Sequence, residues 1–472
     1  MATTTDNELI DLTSSANGAV ILFATDEWFA VADNLLNPSP PVFDPDAFCK
    51  QGKVMDGWES RRKRTPGHDW CVIALGGISH AGEGGDGTPM MLNRIELDTA
   101  FFTGNQTPRV SVEAMRVTKP RTNANVAVDG DFLYNWMPGA TSRLAHGGGA
   151  QGTAKSTSQI DAASAACKSL GNRIEILPMV PLKSGYEESR YHSFELSDES
   201  RTRIEALGGV THLILNYFPD GGVARMKVYG RPIQGKQDDA STTVMEDTMP
   251  GRTIVNHDDV SFLPLPSTRP HPTPELSSEL HGGVGLAQSN AHYGVSGNLL
   301  RVGPGINMGD GWETARHPDR PPIIERDPAT GLQNTHLLDW SLLKLGLGGA
   351  DGIDRIIVDT RHFKGNFPES VAIDGCVCAS DDEVCNAAAA SEDGGGGGGT
   401  HTIEWFPLLK RTRMTAHAEH EYMSPSPMLV NMDRYVTHVR VSIRPDGGLS
   451  RVRIYGAPKA SVNVPGSVGS KL

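Results

Sequence analysis

The chain has 472 residues, more than one hydrophobic core usually spans, so two domains are expected. A formal net charge of -13 opposes nucleic acid and anionic membrane as partners, and an anionic small substrate must then meet a local cluster of cations. Residues 1–8 lack the basic and apolar regions of a signal peptide, and no apolar run reaches the length of a membrane span, so a cytoplasmic protein is expected.

In chain order, "DNLL" at Asp33 is followed by "MDGWESRRKRTPGHDW" from Met55 and "IELDTAFFTGN" from Ile95. "RVSVEAMRV" from Arg109 alternates in the strand period, with Val110, Val112 and Ala114 on one face. An insertion over about 119–172 carries the best helical stretch, "SQIDAASAACKSLG" from Ser158, and its Gly, Ser and Thr content reads as a flexible excursion. "RYHSF" at Arg190 and "HLILNYFPDGGVARMKVYG" at His212 close a first domain over 1–233. Residues 234–274, rich in Asp, Thr and Pro, read as a linker.

The same blocks then return in the same order: "GNLL" at Gly297, "MGDGWETARHPDRPP" at Met308, "LDWSLLKLGL" at Leu338, "IIVDTRHFKGN" at Ile356, "EHEYM" at Glu419 and "HVRVSIRPDGGLSRVRIYG" at His438. The spacing between matching blocks drifts, so insertions lie between them, and the repeat is too long for a solenoid unit. A domain duplication follows, with the second copy over 275–460, a Gly-rich loop at about 386–401 and a tail over 461–472. Short alternating strands with Gly and Pro punctuation predict an all-β fold of two tandem jelly-roll β-sandwich domains. Each Pro-Asp-Gly-Gly is expected to join its flanking strands as an antiparallel hairpin.

"DGWESRRKRTPGHDW" gathers Asp56, Glu59, Arg61, Arg62, Lys63, Arg64, His68 and Asp69 on one loop between strands. Guanidinium forks clamp carboxylates and urea oxygens, carboxylates accept urea N–H groups or move protons, and imidazole titrates near neutrality. A run such as "SRRKR" is in isolation more often a solvated loop, but repetition singles out Glu59 with Glu313 and Arg62 with Arg316. A duplicated buried ion pair would leave the same trace. His192 and His420 also recur, each beside an aromatic residue, although a lone histidine is usually structural. The repeated tryptophans Trp58, Trp70, Trp312 and Trp340 are expected to pack the core, and Asp98 and Asp359 to cap strand ends. Cys376, Cys378 and Cys385 crowd one segment without a paired CxxC, so a reduced surface loop is favoured over a metal site. No P-loop, dinucleotide fingerprint, HExxH or GxSxG motif is present.

Taken together, "DNLL", "MDGWESRRKRTPGHDW", "DTAFFTGNQTPRVSVEA", "LPMVPL" and "FPDGGVARMKVYG", with their echoes, resemble the allantoicase (allantoate amidinohydrolase) family. The resemblance implies two similar jelly-roll domains and hydrolysis of allantoate to ureidoglycolate and urea in purine degradation. It does not assign roles, so these are expectations from chemistry. Arg61 and Arg62 would bind the carboxylate and a ureido oxygen, His68 or else His192 would protonate departing urea, and Glu59 or Asp69 would activate water. Asp56, Glu313 and Arg316 complete the expected binding set. Ala315 stands where the first repeat has Arg61, so the working site is expected in the first domain or in a cleft between domains. No cofactor is firmly predicted; a divalent metal on Asp56, Glu59, His68 and Asp69 is left open. Allantoate as small-molecule substrate and a homo-oligomer are the expected partners. The competing class is a non-catalytic ligand- or carbohydrate-binding sandwich, which would favour aromatic platforms; aromatics are only 6% of residues and the doubled loop is charged.

Overall fold

The computed structural model describes residues 9–77, 88–118, 132–170, 173–233, 273–390 and 403–459. Most of the expected linker, most of the Gly-rich loop and the C-terminal tail lie outside the described residues.

Each half is a sandwich of a five-stranded and a four-stranded antiparallel sheet. The first half's larger sheet runs Arg173–Pro181, Arg109–Met115, His212–Phe218, Asp69–Ala74 and Val20–Ala24. The second half's runs Phe406–Arg413, Ser370–Cys376, His438–Arg444, Asp339–Lys344 and Val284–Gln288, the same order of equivalent strands. Alternation places Val110, Val112 and Ala114, and in the other half Val439, Val441 and Ile443, in the two separate sandwich cores. Both repeats therefore form the jelly-roll sandwiches read from their patterning.

The Pro-Asp-Gly-Gly hairpins do not form. His212–Phe218 is a central strand, already paired on both edges with Asp69–Ala74 and Arg109–Met115. The returning strand Arg225–Pro232 crosses to the smaller sheet and pairs with Met90–Asp98. His438–Arg444 and Arg451–Pro458 divide between sheets in the same way. A central strand with no free edge leaves a hairpin partner nowhere to bond.

The described part of the insertion, residues 132–170, is packed against the sandwich. Its helix Thr157–Ser169 opens on a capping box between Ser156 and Gln159, and buries Ala163 and Cys167, one turn apart, on the outer face of the larger sheet. Arg143 donates to both carboxylate oxygens of Glu27 at 2.6 and 2.8 Å and bonds Asp33, tying the insertion to the "DNLL" segment. In the second half Asp381–Ala390 covers the equivalent face through Val384 and Ala388. Cys376 belongs to that buried layer rather than to a surface loop. Asp98 and Asp359 do cap strand ends, accepting the backbone N–H groups of Ala100 and Arg361. Among the described residues no helix is long and apolar enough to cross a membrane.

Candidate active site

Each Asp-Gly-Trp-Glu forms a two-residue strand: Trp58–Glu59 pairs with Gly222–Val223, and Trp312–Glu313 with Gly448–Leu449. Neighbouring side chains on a strand point to opposite sides. Trp58 and Trp312 turn inward, fully buried, and donate their indole N–H groups to the carbonyls of Asp26 and Asn290, both at 2.8 Å. Glu59 and Glu313 consequently turn the other way, toward the opposite domain. The repeated "NLL" segments brace this arrangement, since Asn34 and Asn298 donate to the carbonyls of Gly57 and Gly311.

The two loops exchange arginines. Arg62 reaches into the second domain, where it bonds Asp446 at 2.6 Å, Glu313 at 3.0 Å and the Thr314 carbonyl at 2.7 Å. Arg316 reaches into the first, bonding Asp220, Glu59 at 3.2 Å and the Ser60 carbonyl at 2.9 Å. Backbone bonds fix the crossing, from Arg62 N–H to the Gly365 carbonyl and from Arg316 N–H to the Gly104 carbonyl. Side chains crowd both glycines: a Cβ on Gly104 would displace the His292 ring, and one on Gly365 would displace Arg61 and Phe29. The residue after each glycine is an asparagine. Asn105 donates to Glu59 Oε1 at 2.9 Å and Asn366 to Glu313 Oε1 at 2.8 Å.

Between these two sets lies a cavity of about 250 Å³, lined by Glu59, Arg62 and Asn105 from one domain and Glu313, Arg316 and Asn366 from the other. Lys53, Tyr293, Phe29, Phe48, Met55 and Met308 complete most of the wall. In each half the Oε1 atom of the glutamate carries the bonds from arginine and asparagine, while the asparagine Oδ1 is buried without a donor. Two half-sites, each with a glutamate and an asparagine, therefore face one another across a single space.

Burial raises the Glu59 carboxyl above the usual range, against the pull of Arg316 and the Asn105 hydrogen bond. Burial would raise Asp220 too, but the guanidinium groups of Arg320 and Arg316 outweigh it and hold that carboxyl at about 2. Asp446 is likewise held well below the carboxylate range, burial being overcome by Arg320, Arg62 and Arg64. Arg320 joins the two aspartates, bonding Asp220 at 2.7 and 2.9 Å with its Nε 3.4 Å from Asp446. The aspartates stay charged and lock the arginines. Of these three carboxyls, Glu59 is the one whose pKa is raised.

Of the nine residues expected from the sequence, the cavity brings together Glu59, Arg62, Glu313 and Arg316. The other five face elsewhere. Arg61 bonds Asp26 at 2.7 Å and lies over Trp28. Asp56 accepts from Arg225 at 2.7 Å, as Asp310 does from Arg451. Asp69 accepts from Thr25 and Lys63. His68 bonds Asn216 at 3.0 Å and packs on Phe218, and burial lowers its pKa. His192 is committed at both nitrogens, Nε2 accepting the Lys183 N–H at 2.9 Å while Nδ1 faces the Arg190 carbonyl at 3.0 Å. His420 repeats this with Thr415 and Val358, so the recurrence marks a backbone staple. The four metal-ligand candidates Asp56, Glu59, His68 and Asp69 are separated by these partners, and no group of three or more His, Cys, Asp or Glu suited to a metal occurs among the described residues.

Sequence reasoning missed Asn105, Asn366, Asp220, Asp446, Lys53 and Tyr293. The first four lie in the repeated "GN" and "PDGG" blocks, so recurrence carried their signal although the side chains read as turn formers.

The chain matches the family model described as the allantoicase repeat twice, over residues 10–233 and 274–459. It is 31% identical to a probable allantoicase of Pseudomonas savastanoi pv. phaseolicola (strain 1448A / Race 6) over 451 residues, 95% of this chain and 96% of that protein. A probable allantoicase of Pseudomonas aeruginosa (strain UCBPP-PA14) is also 31% identical, with the same coverage. The crystal structure of allantoicase from Saccharomyces cerevisiae aligns over 95% of this chain and 93% of its own, at 26% identity and a TM-score of 0.28. Two repeats that between them match nearly all of the described chain place this protein in the allantoicase family.

Proposed function

We propose that the protein hydrolyses allantoate to ureidoglycolate and urea, at one site per chain formed by both domains. The observation that carries this reading is the pair of facing half-sites. Allantoate bears two identical ureido groups on one carbon, and each –NH–CO–NH2 offers N–H donors. Glu59 with Asn105, and Glu313 with Asn366, line opposite walls of the cavity, so a carboxylate acceptor faces each ureido group.

In the reaction one C–N bond breaks, the departing nitrogen takes a proton, and the hydroxyl of a water molecule bonds to the carbon. Glu59, with its raised pKa, is the proton donor to the departing urea. Glu313 across the cavity takes a proton from the attacking water. Arg62 and Arg316 position the two carboxylates rather than the substrate, since each guanidinium is already held by a glutamate, an aspartate and a backbone carbonyl. His68, Asp69 and His192 have no part in this scheme because other partners hold them away from the cavity. The membership in the family and the fit of a doubled site to a doubled substrate support the enzyme over the carbohydrate-binding reading.

Urea release from allantoate by the purified protein tests this, with allantoin as control. Release of one urea per allantoate is expected. A folded preparation that releases none would return the chain to the binding-protein class.

A further inference from the structure

We propose that Lys53 is the specificity-determining residue that receives the substrate carboxylate, and so breaks the near-equivalence of the two half-sites. This rests on the reading of the cavity as the allantoate site.

The charge balance of the wall supports it. Glu59 and Glu313 cancel Arg62 and Arg316 among the lining side chains, and each arginine is further tied to Asp220 or Asp446 behind the wall. Neither guanidinium has charge to spare for an incoming anion. Lys53 is the one lining cation that pairs with no carboxylate among the described residues. Its Nζ lies instead 5.0 Å and 5.3 Å from the ring centres of Phe43 and Phe48. Phe48 is 65% exposed, which puts this corner at the cavity mouth. A carboxylate on Lys53 leaves the two ureido groups pointing inward, one to each half-site.

The second repeat has no such cation. Aligning "GKVMDGWE" from Gly52 with "GINMGDGWE" from Gly305 sets Ile306 against Lys53, and Ile306 is 81% exposed. The extra residue Gly309 also lines the cavity on that side. The two walls that read the ureido groups are thus alike, while the corner that reads the carboxylate exists once. A chain with net charge -13 needs such a local cation to attract an anionic substrate.

The test compares wild type with Lys53→Met and Lys53→Arg, using allantoate and a competitor that has both ureido groups but no carboxylate, methylenediurea. Lys53→Met is expected to raise KM for allantoate by about 10–100-fold, the usual loss of a hydrogen bond to a charged group, with kcat changed much less. Inhibition by methylenediurea should be unchanged, and Lys53→Arg should recover most of the affinity. An allantoate KM that stays within about twofold in Lys53→Met overturns the inference alone. Equal loss of affinity for allantoate and methylenediurea also overturns it, because Lys53 would then shape the cavity rather than read the carboxylate. No urea from wild type overturns the functional reading and this inference with it.

Discussion

The two Asp-Gly-Trp-Glu loops are alike where they face each other and unlike behind. Toward the cavity, Glu59, Arg62, Asn105 and Asp220 repeat as Glu313, Arg316, Asn366 and Asp446 with the same bonding. Behind it, the first loop has the ion pair Arg61–Asp26 and the pair Lys63–Asp69. The second has Ala315, whose N–H donates to Asn290 at 3.2 Å, and His317 near Asp339, with a cavity of about 600 Å³ where the larger side chains would lie. Both charges of the Arg61–Asp26 pair disappear together in the second copy. Removing one member of a buried pair strands the other, whereas removing both is tolerated, so the back of the loop could drift in pairs. The front could not, because Glu59, Arg62 and Asp220, like Glu313, Arg316 and Asp446, each bond across the domain boundary.

The largest effect is expected from breaking a shared group. Arg316→Ala leaves Asp220 and Glu59 facing one another with a guanidinium removed, and should cost about 3–5 kcal/mol in denaturant-unfolding free energy besides abolishing urea release. A loss under about 1 kcal/mol would mean the crossing arginines do not hold the domains together.

Behind the loop the expected effect is smaller and recoverable. Arg61→Ala should destabilise by about 1–3 kcal/mol, since it leaves the mostly buried Asp26 carboxylate without its cation. The double variant Asp26→Asn with Arg61→Ala, which copies the second repeat, should regain most of that in a double-mutant cycle. If the two losses simply add, the paired-drift account fails.

The smallest effects belong to the histidines. His68→Ala and His192→Ala should keep kcat within about threefold of wild type, because neither lines the cavity. A kcat lowered by about a hundredfold in either would restore it as the proton donor.

How much of this was legible in the sequence follows from the same contrast. The duplication, the sandwich class and the alternating core strands came from repeats and period, which are local signals. That Glu59, Arg62, Glu313 and Arg316 belong together, as they do in lining one cavity, was legible because recurrence filtered a charged loop that would otherwise read as solvated. His68 and Asp69 were grouped with Glu59 because they are near it in sequence, but past the Gly67–Ile324 bridge between the domains the chain enters the strand Asp69–Ala74, where Asn216 holds His68 and Thr25 and Lys63 hold Asp69. Asp220 read only as a turn former because its partners Arg316 and Arg320 lie across a domain boundary, and Asn105 because its partner Glu59 lies on a distant segment of its own domain. Nothing in a turn motif announces that its aspartate faces another domain. The hairpin expectation failed for a related reason, since strand pairing within a sandwich is decided by which edges are already taken.

The central claim is that both repeats build one shared site. Urea release by Glu59→Gln and Glu313→Gln, each measured alone on folded protein, tests it most directly. A shared site predicts that either substitution lowers kcat by about 10²–10⁴-fold. If each single variant instead retained about half the activity, and only the double variant lost it, each domain would hold an independent site and the account would be contradicted.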